Sequence, residues 1–134
     1  ICTPMQWDDS KNAGFTDGTP WINVNPNYKE INAKAAVADP NSVFHYYQEL
    51  IKLRHTLPII VYGKFQGLLE DSETIYAYNR LLDGQVLTVA CNFTDQEQDC
   101  TLFDDLAGEE LISNYKEHKA GKLQPYEARV ILRK

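Results

Sequence analysis

Adjacent carboxylates, as at Asp8-Asp9, Asp104-Asp105 and Glu109-Glu110, are the first residue types in the chain that could do chemistry. Paired carboxyl groups can divide general acid and general base work. Each pair sits in turn-like sequence, however, and solvated turn or capping roles describe them better. His45, His55 and His118 lack the close spacing of metal ligands. The first two fall on the polar side of a helical pattern, and the third lies in a Lys-rich turn. No phosphate-cradling glycine loop and no nucleophile elbow is present. No catalytic residue, metal site or cofactor site is assigned on these grounds.

Cysteines occur at 2, 91 and 100. An odd count without a spacing motif reads as reduced thiols, with a Cys91–Cys100 bridge as the lesser alternative. Asn92-Phe93-Thr94 fits a glycosylation sequon, here read as chance because no secretory leader is visible.

The densest cluster of unusual residues is the first stretch. Thr3-Pro4-Met5-Gln6-Trp7-Asp8, Asn12-Ala13-Gly14-Phe15-Thr16 and Pro20 to Tyr28 carry both tryptophans of the chain without helical or strand periodicity. Such a stretch is expected to be an ordered loop, held by aromatic packing and fixed φ angles, and long ordered loops are commonly functional.

The elements around it follow from periodicity. Asp39 as N-cap and Pro40 in the first turn predict a helix from Asp39 to Leu57, stopping before Pro58. Val43, Tyr46, Tyr47, Leu50, Ile51, Leu53 and Leu57 share one broad arc, with His45, Gln48, Glu49, Lys52 and Thr56 opposite. Arg54 interrupts the apolar arc and is expected to pair across a packing interface or snorkel to its edge.

Beyond Pro58 the pattern turns to strands. They are expected at Ile59–Tyr62, Lys64–Glu70, Glu73–Leu81, Gln85–Phe93, Cys100–Phe103, Glu110–Ser113 and Glu127–Arg133. Asp83-Gly84 marks a tight hairpin. The apolar faces of Gln85–Phe93 make it a central strand. The fold class is mainly β with one long α-helix: an antiparallel β-sandwich over 59–134, preceded by a loop and helix over 1–58.

The chain has 134 residues and a formal net charge of −6. An acidic chain without a basic stripe argues against nucleic acid and anionic membranes as partners. No apolar run approaches the roughly 18 residues of a membrane span. A start at Ile1 rather than Met reads as a processed product or a fragment.

These segments resemble the C-terminal end of an α-glucosidase of glycoside hydrolase family 13, in the group of oligo-1,6-glucosidase, dextran glucosidase, trehalose-6-phosphate hydrolase and sucrose isomerase. The resemblance is carried by Thr3 to Asp8, Asn12 to Thr16, Thr19 to Asn32, Asp39 to Tyr47, Leu50 to Arg54, Ile75 to Tyr78 and Leu123 to Ala128. It covers nearly the whole chain and is weakest between Asp95 and Lys122. It implies a parent with a (β/α)8 barrel and a closing antiparallel β domain. Residues 1–58 would be the last barrel loop and final helix, and 59–134 the closing domain. A complete barrel needs about 250 residues, so the barrel would be a partner absent from this chain.

The chemistry implied is retaining hydrolysis of α-glucosidic bonds by an Asp nucleophile, a Glu acid/base and a second Asp, all upstream of Thr3. The chain alone is therefore expected to be inactive, and no cofactor is implied. Cys2 stands where the resemblance places a sugar-binding arginine. A thiol cannot make charge-assisted bidentate bonds, so either the parent differs at its substrate site or Ile1-Cys2 belongs to a chain boundary. Trp7, Trp21, Tyr28 and Arg54 are read as structural anchors. A cytoplasmic location is expected, as is self-association through apolar surface left open. Two alternatives stand beside this reading. One is a free-standing carbohydrate-binding sandwich with Phe15, Trp21 and Tyr28 as a stacking platform; the other is a purely structural domain.

Overall fold

The computed structural model describes residues 2–105 and 107–134. The chain divides into two compact units, one running to Glu49 and the other spanning Leu50–Lys134. The division falls inside a helix.

In the first unit the loop comes before a short helix, α1 (Ala33–Ala38). Asn32 caps α1: its Oδ1 accepts from Ala35 N at 2.8 Å. The next helix, α2, is Val43–Thr56, shorter at its start than the expected Asp39–Leu57. Asp39 instead closes α1, and its carboxylate accepts from Asn41 N at 2.9 Å. That local turn occupies the side chain that would have capped α2. Ser42 takes over, its Oγ accepting from His45 N at 3.4 Å and its carbonyl from Tyr46 N at 3.1 Å.

No residue of α2 is buried. Its half-buried side chains are His45, Tyr46, Glu49 and Leu53, while Val43, Phe44, Tyr47, Leu50 and Ile51 are exposed. Most of the apolar arc thus meets solvent. Arg54, expected within a buried face, is exposed near the helix end, where a cation complements the carbonyl end of the helix dipole.

The second unit is built on antiparallel strands. These are β1 (Lys64–Leu68), β2 (Ile75–Leu82), β3 (Gln85–Asn92), β4 (Gln98–Asp99), β5 (Glu109–Ser113), β6 (Lys122–Leu123) and β7 (Ala128–Arg133). The main sheet has the order β1-β2-β3-β7-β5, and β4 and β6 form a small second sheet. Central β3 pairs with β2 from Ile75↔Asn92 to Leu82↔Gln85. The two-residue turn between them has Asp83 at φ 48° and Gly84 at φ 78°, the left-handed pair that matches strand twist.

Two apolar clusters hold this unit. On one face Ile75, Ala77, Ala90 and Ile131 pack with Cys100, Phe103 and Leu123 from the segments around the small sheet. On the other, Leu87, Val89 and Leu132 pack with Ile59. Strand periodicity places alternate residues on opposite faces, and β3 accordingly feeds Ala90 to one cluster and Leu87 and Val89 to the other.

Ile59–Tyr62 is not the expected strand but part of a short helix, α3 (Pro58–Tyr62), with proline in its first turn. Tertiary contact outweighs β-branched propensity here. Ile59 is buried in the second cluster, and Arg80 Nη2 donates to the carbonyls of Ile60 and Val61 at 3.2 Å each. Cys100–Phe103 is likewise not a strand: Asp104 N donates to Thr101 O at 3.2 Å, closing a turn.

Candidate functional site

The loop before α1 is ordered by polar wiring rather than by its aromatic rings. Trp7 N donates to Ala13 O at 2.9 Å. Asn12, Ala13 and Gly14 all have left-handed φ, at 56°, 58° and 66°. The side chain of Asn12 fixes that bend by donating to the carbonyls of Thr16 at 3.0 Å and Gly18 at 2.8 Å. Gly14 is required where it stands, since a Cβ would lie 2.8 Å from Asp8 Oδ1.

The loop is also tied to α1. Ala33 N and Lys34 N, the opening donors of the helix, reach Gln6 O at 2.8 Å and Trp7 O at 2.9 Å. Two donors that a helix start leaves over are satisfied in this way. Gln6 Nε2 donates to Asn27 Oδ1 at 3.0 Å and to Ile31 O. Asn32, itself buried, donates from Nδ2 to Tyr28 O at 2.9 Å. Lys29 Nζ donates to Asp9 O at 2.7 Å and lies over the Tyr28 ring, 4.9 Å from its centroid.

This frame presents rings outward. Trp7 is 54 % exposed and Trp21 is 88 % exposed. Phe15 is exposed and Tyr28 half-buried. The expectation that aromatic packing holds the segment is corrected: hydrogen bonds and the buried Ala13 hold it. Cys2 is an exposed free thiol at the start of the same loop, and Ile1 of the Ile1-Cys2 boundary lies outside the described residues.

Asp8 turns back on its own loop. Its Oδ1 accepts from Ser10 N at 2.9 Å and from Ser10 Oγ. The Ser10 hydroxyl and then the Ser10 amide lower its pKa from the ordinary aspartate value. Asp8 therefore works as a turn residue. Asp104 instead ties two distant segments, its Oδ1 accepting from Gly121 N at 2.6 Å.

Sequence reasoning missed a polar cluster in the second unit. Glu110 is not a solvated turn residue but lies in β5, where Oε2 accepts from Arg129 Nε at 2.8 Å. His118 stands between two carboxylates. Its Nδ1 is 2.6 Å from Glu127 Oε1, and its Nε2 is 2.9 Å from Glu110 Oε2. The second contact has ion-pair distance without hydrogen-bond alignment. Glu127 is 1 % exposed, and its other oxygen accepts from Gln124 N at 2.8 Å. A Glu eight residues before a His and another nine after it carry no local signal; only the pairing of β5 with β7 brings them together.

This cluster closes a corner. Asn114 Oδ1 accepts from Ala128 N at 2.8 Å, and Tyr115 Oη donates to Pro125 O at 2.9 Å. The carboxylates of Glu110 and Glu127 are both engaged within the protein, so the cluster reads as structure. The sequon residue Asn92 is equally committed. It is buried, and Nδ2 donates to Gln96 O at 2.7 Å and Gln124 O at 2.9 Å.

Cys2, Cys91 and Cys100 are all free, and burial raises the pKa of Cys91 and Cys100. Among the described residues, no group of His, Cys, Asp and Glu could hold a metal ion. No helix among them is long and apolar enough to cross a membrane.

Comparison with known proteins matches two stretches of the chain. Residues 2–63 match the family model for the α-amylase catalytic domain. Residues 79–133 match that for a β-galactosidase C-terminal domain. The chain is 51 % identical to an oligo-1,6-glucosidase of Halalkalibacterium halodurans over 98 % of its own length and 25 % of that protein's. Identity to an oligo-1,6-glucosidase of Parageobacillus thermoglucosidasius is 56 %, over 96 % of this chain and 24 % of the relative. A trehalose-6-phosphate hydrolase of Bacillus subtilis is 43 % identical over 94 % of the chain and 24 % of its own length. Among solved structures, a trehalose-6-phosphate hydrolase of Bacillus licheniformis superposes with a TM-score of 0.88 at 41 % identity, covering 97 % of this chain and 25 % of that one. The chain thus spans about a quarter of the length of the curated relatives it matches.

Proposed function

Because the chain is related along nearly its whole length to α-glucosidases of glycoside hydrolase family 13, we propose that it is the C-terminal part of a retaining α-glucosidase acting on α-1,6- or related α-glucosidic bonds in oligosaccharides. The observation that carries this is the 56 % identity to an oligo-1,6-glucosidase across 96 % of the chain. Trehalose-6-phosphate is the alternative parent substrate, supported by the 43 % identity to a hydrolase of that name.

In this reading residues 1–58 complete the catalytic barrel, with the ordered loop beside its active-site end and α2 as its final helix. Residues 59–134 are the closing β-sandwich domain. The exposed arc of Val43, Tyr47, Leu50 and Ile51 supports a partner surface in the rest of the barrel, since solvent contact of that much apolar surface is unfavourable. Trp7, Trp21, Tyr28 and Arg54 serve the same packing. Without its partner the chain self-associates through this arc. Cys2 stands at the sugar-binding position, with a thiol in place of a guanidinium.

Retaining hydrolysis needs two carboxyl groups about 5 Å apart across the scissile bond. Asp8 is committed to Ser10, and Glu110 and Glu127 to Arg129, His118 and Gln124. These carboxylates therefore hold structure, and the catalytic pair belongs to the upstream barrel. The free thiols support a reducing, cytoplasmic setting.

The test compares this chain with the longer protein translated through the same reading frame. The longer protein turns over an aryl α-glucoside with retention of anomeric configuration, and the chain alone does not. Turnover by the isolated chain, or a frame without an upstream barrel, would overturn the proposal.

A second reading, a carbohydrate-binding module, is favoured by one observation: Trp21 is 88 % exposed. Titration calorimetry of the chain with isomaltooligosaccharides separates the two. Heat of binding abolished by Trp21→Ala would support the module.

A further inference from the structure

We infer that His118 is a proton-operated clasp: with both ring nitrogens protonated it joins the turn after β5 to Glu110 and Glu127, and loss of one proton releases the Glu110 side. The inference concerns the β domain alone and does not depend on the proposed function.

Charge balance carries it. Glu110 and Glu127 bring two negative charges to the cluster, and Arg129 brings one positive charge. A cationic ring supplies the second positive charge. The Glu127 side chain is fully buried and that of His118 is 17 % exposed. An unbalanced charge costs far more in such surroundings than in water.

The neighbouring charged groups are engaged elsewhere or face solvent. Lys119 is bonded to Glu97, and Lys122 to Asp99 at 3.1 Å. Lys116 and Glu117 are exposed on the turn itself. Asp104 accepts from Gly121 N at 2.6 Å. Burial above all, with the charges of Asp104 and Glu127, raises the pKa of the Cys100 thiol and keeps it neutral beside the cluster.

Geometry decides which proton leaves. Nδ1 lies 2.6 Å from Glu127 Oε1 within hydrogen-bond geometry, so a neutral ring keeps its proton there. Nε2 lies 2.9 Å from Glu110 Oε2, closed off from water and without a hydrogen-bond partner. A neutral ring has one donor and one acceptor nitrogen. Deprotonation at Nε2 therefore turns a lone pair towards a carboxylate oxygen. Attraction becomes repulsion at that contact, and the same Glu110 oxygen keeps Arg129 Nε at 2.8 Å.

The clasp holds an edge of the sheet. β5 is the last strand in the sheet order, and its ladder with β7 is irregular between Glu110 and Ile112. Gln124 Nε2 donates to Glu117 O at 2.8 Å, which ties the His118 turn to the turn carrying Glu127. Glu110 lies near the start of β5, so the ring draws the turn back along the strand it follows. Protonation favours this closed arrangement. By linkage its stabilisation is present with the cationic ring and is lost as rising pH removes the proton.

Thermal unfolding of the 134-residue chain and of His118→Asn tests this between about pH 5.5 and 8.5, a range that brackets the free histidine value of roughly 6.5. Asparagine keeps a donor for Glu127 and does not titrate. The chain is expected to unfold several degrees above the variant at the acid end, with the gap closing towards the alkaline end. In a Glu110→Gln background the gap should no longer change with pH. A gap that stays constant in the unaltered background would overturn the inference. Should the asparagine variant not fold, nitrogen-15 NMR of the ring in the unaltered chain decides. Both ring nitrogens are expected to carry protons at the acid end and Nδ1 alone at the alkaline end. A neutral ring protonated at Nε2, or one protonation state across the whole range, would overturn the inference.

Discussion

The Glu127 carboxylate accepts from a backbone amide of its own turn with one oxygen and holds His118 with the other. The distances are 2.8 Å to Gln124 N and 2.6 Å to His118 Nδ1. At 1 % exposure this carboxylate has little access to water. A buried acidic group is tolerated when its lone pairs are met by donors, and both Glu127 oxygens are met in this way.

Glu127→Ala removes the acceptor for both donors and leaves them in a space water reaches poorly. The expected loss is about 2–4 kcal/mol, the range for orphaned buried polar groups together with a cavity. Glu127→Gln keeps the volume and one acceptor and should cost less. Urea midpoints of the two variants check the order, and an alanine variant as stable as the parent chain would show that the cluster contributes nothing.

Gly63→Ala tests the joint between α3 and the sheet. The added methyl would lie 2.4 Å from Ile59 O and 3.2 Å from Arg80 Cβ. Backbone cannot yield as a flexible side-chain end does, so α3 must shift off Leu87 and Val89. A destabilisation of about 1–3 kcal/mol is expected from overpacking, read as a lower melting temperature. By contrast, Gly84→Ala meets nothing within 4 Å. It should cost only about 1 kcal/mol, from its φ of +78°.

Much of the β unit was legible because its signals are local. Asp83-Gly84 names its turn type through two residues, and β3 declares its central place through apolar residues on both faces. The α3 segment was misread because Ile59-Ile60-Val61 has strand-like propensity, while the contacts that favour helix come from Leu87 and Arg80, far along the chain. Glu110, His118 and Glu127 were passed over for the same reason. The start of α2 failed on competition between caps: Asp39 is a good cap in isolation, but its own turn takes it first. In the loop, Asn12 and Gln6 do the ordering work that the tryptophans were expected to do.

Thiol reactivity should separate the cysteines by environment. Cys2 is exposed, whereas burial raises the pKa of Cys91 and Cys100. The thiolate is the reactive form, so both burial and proton affinity protect the latter two. Iodoacetamide at neutral pH should label one cysteine rapidly and the others only on addition of denaturant, as read by peptide mass spectrometry. Rapid labelling of Cys91 in native buffer would contradict the packing of β3.

The charged edge formed by Glu97, Asp99, Lys119 and Lys122 should confer a weak, salt-sensitive pH dependence with two limbs. Glu97 accepts from Lys119 and lies 3.3 Å from Lys122, while Lys122 also donates to Asp99 at 3.1 Å. Bonding to Lys119, then to Lys122, lowers the Glu97 pKa; bonding to Asp99, then to Glu97, raises that of Lys122. A carboxylate with a depressed folded pKa stabilises above its unfolded value, near 4.3, and that contribution disappears as pH falls through the folded one. A lysine with a raised folded pKa stabilises below its unfolded value, near 10.4, and that contribution is lost as pH rises through the folded one. The acid limb should vanish in Glu97→Gln and the alkaline limb weaken in Lys122→Met. Both should flatten in about 1 M salt, where the screening length drops to roughly 3 Å. Carbon-detected NMR titration of the Glu97 carboxyl provides the direct reading, and a midpoint at or above that of a free glutamate would remove the acid limb from this account.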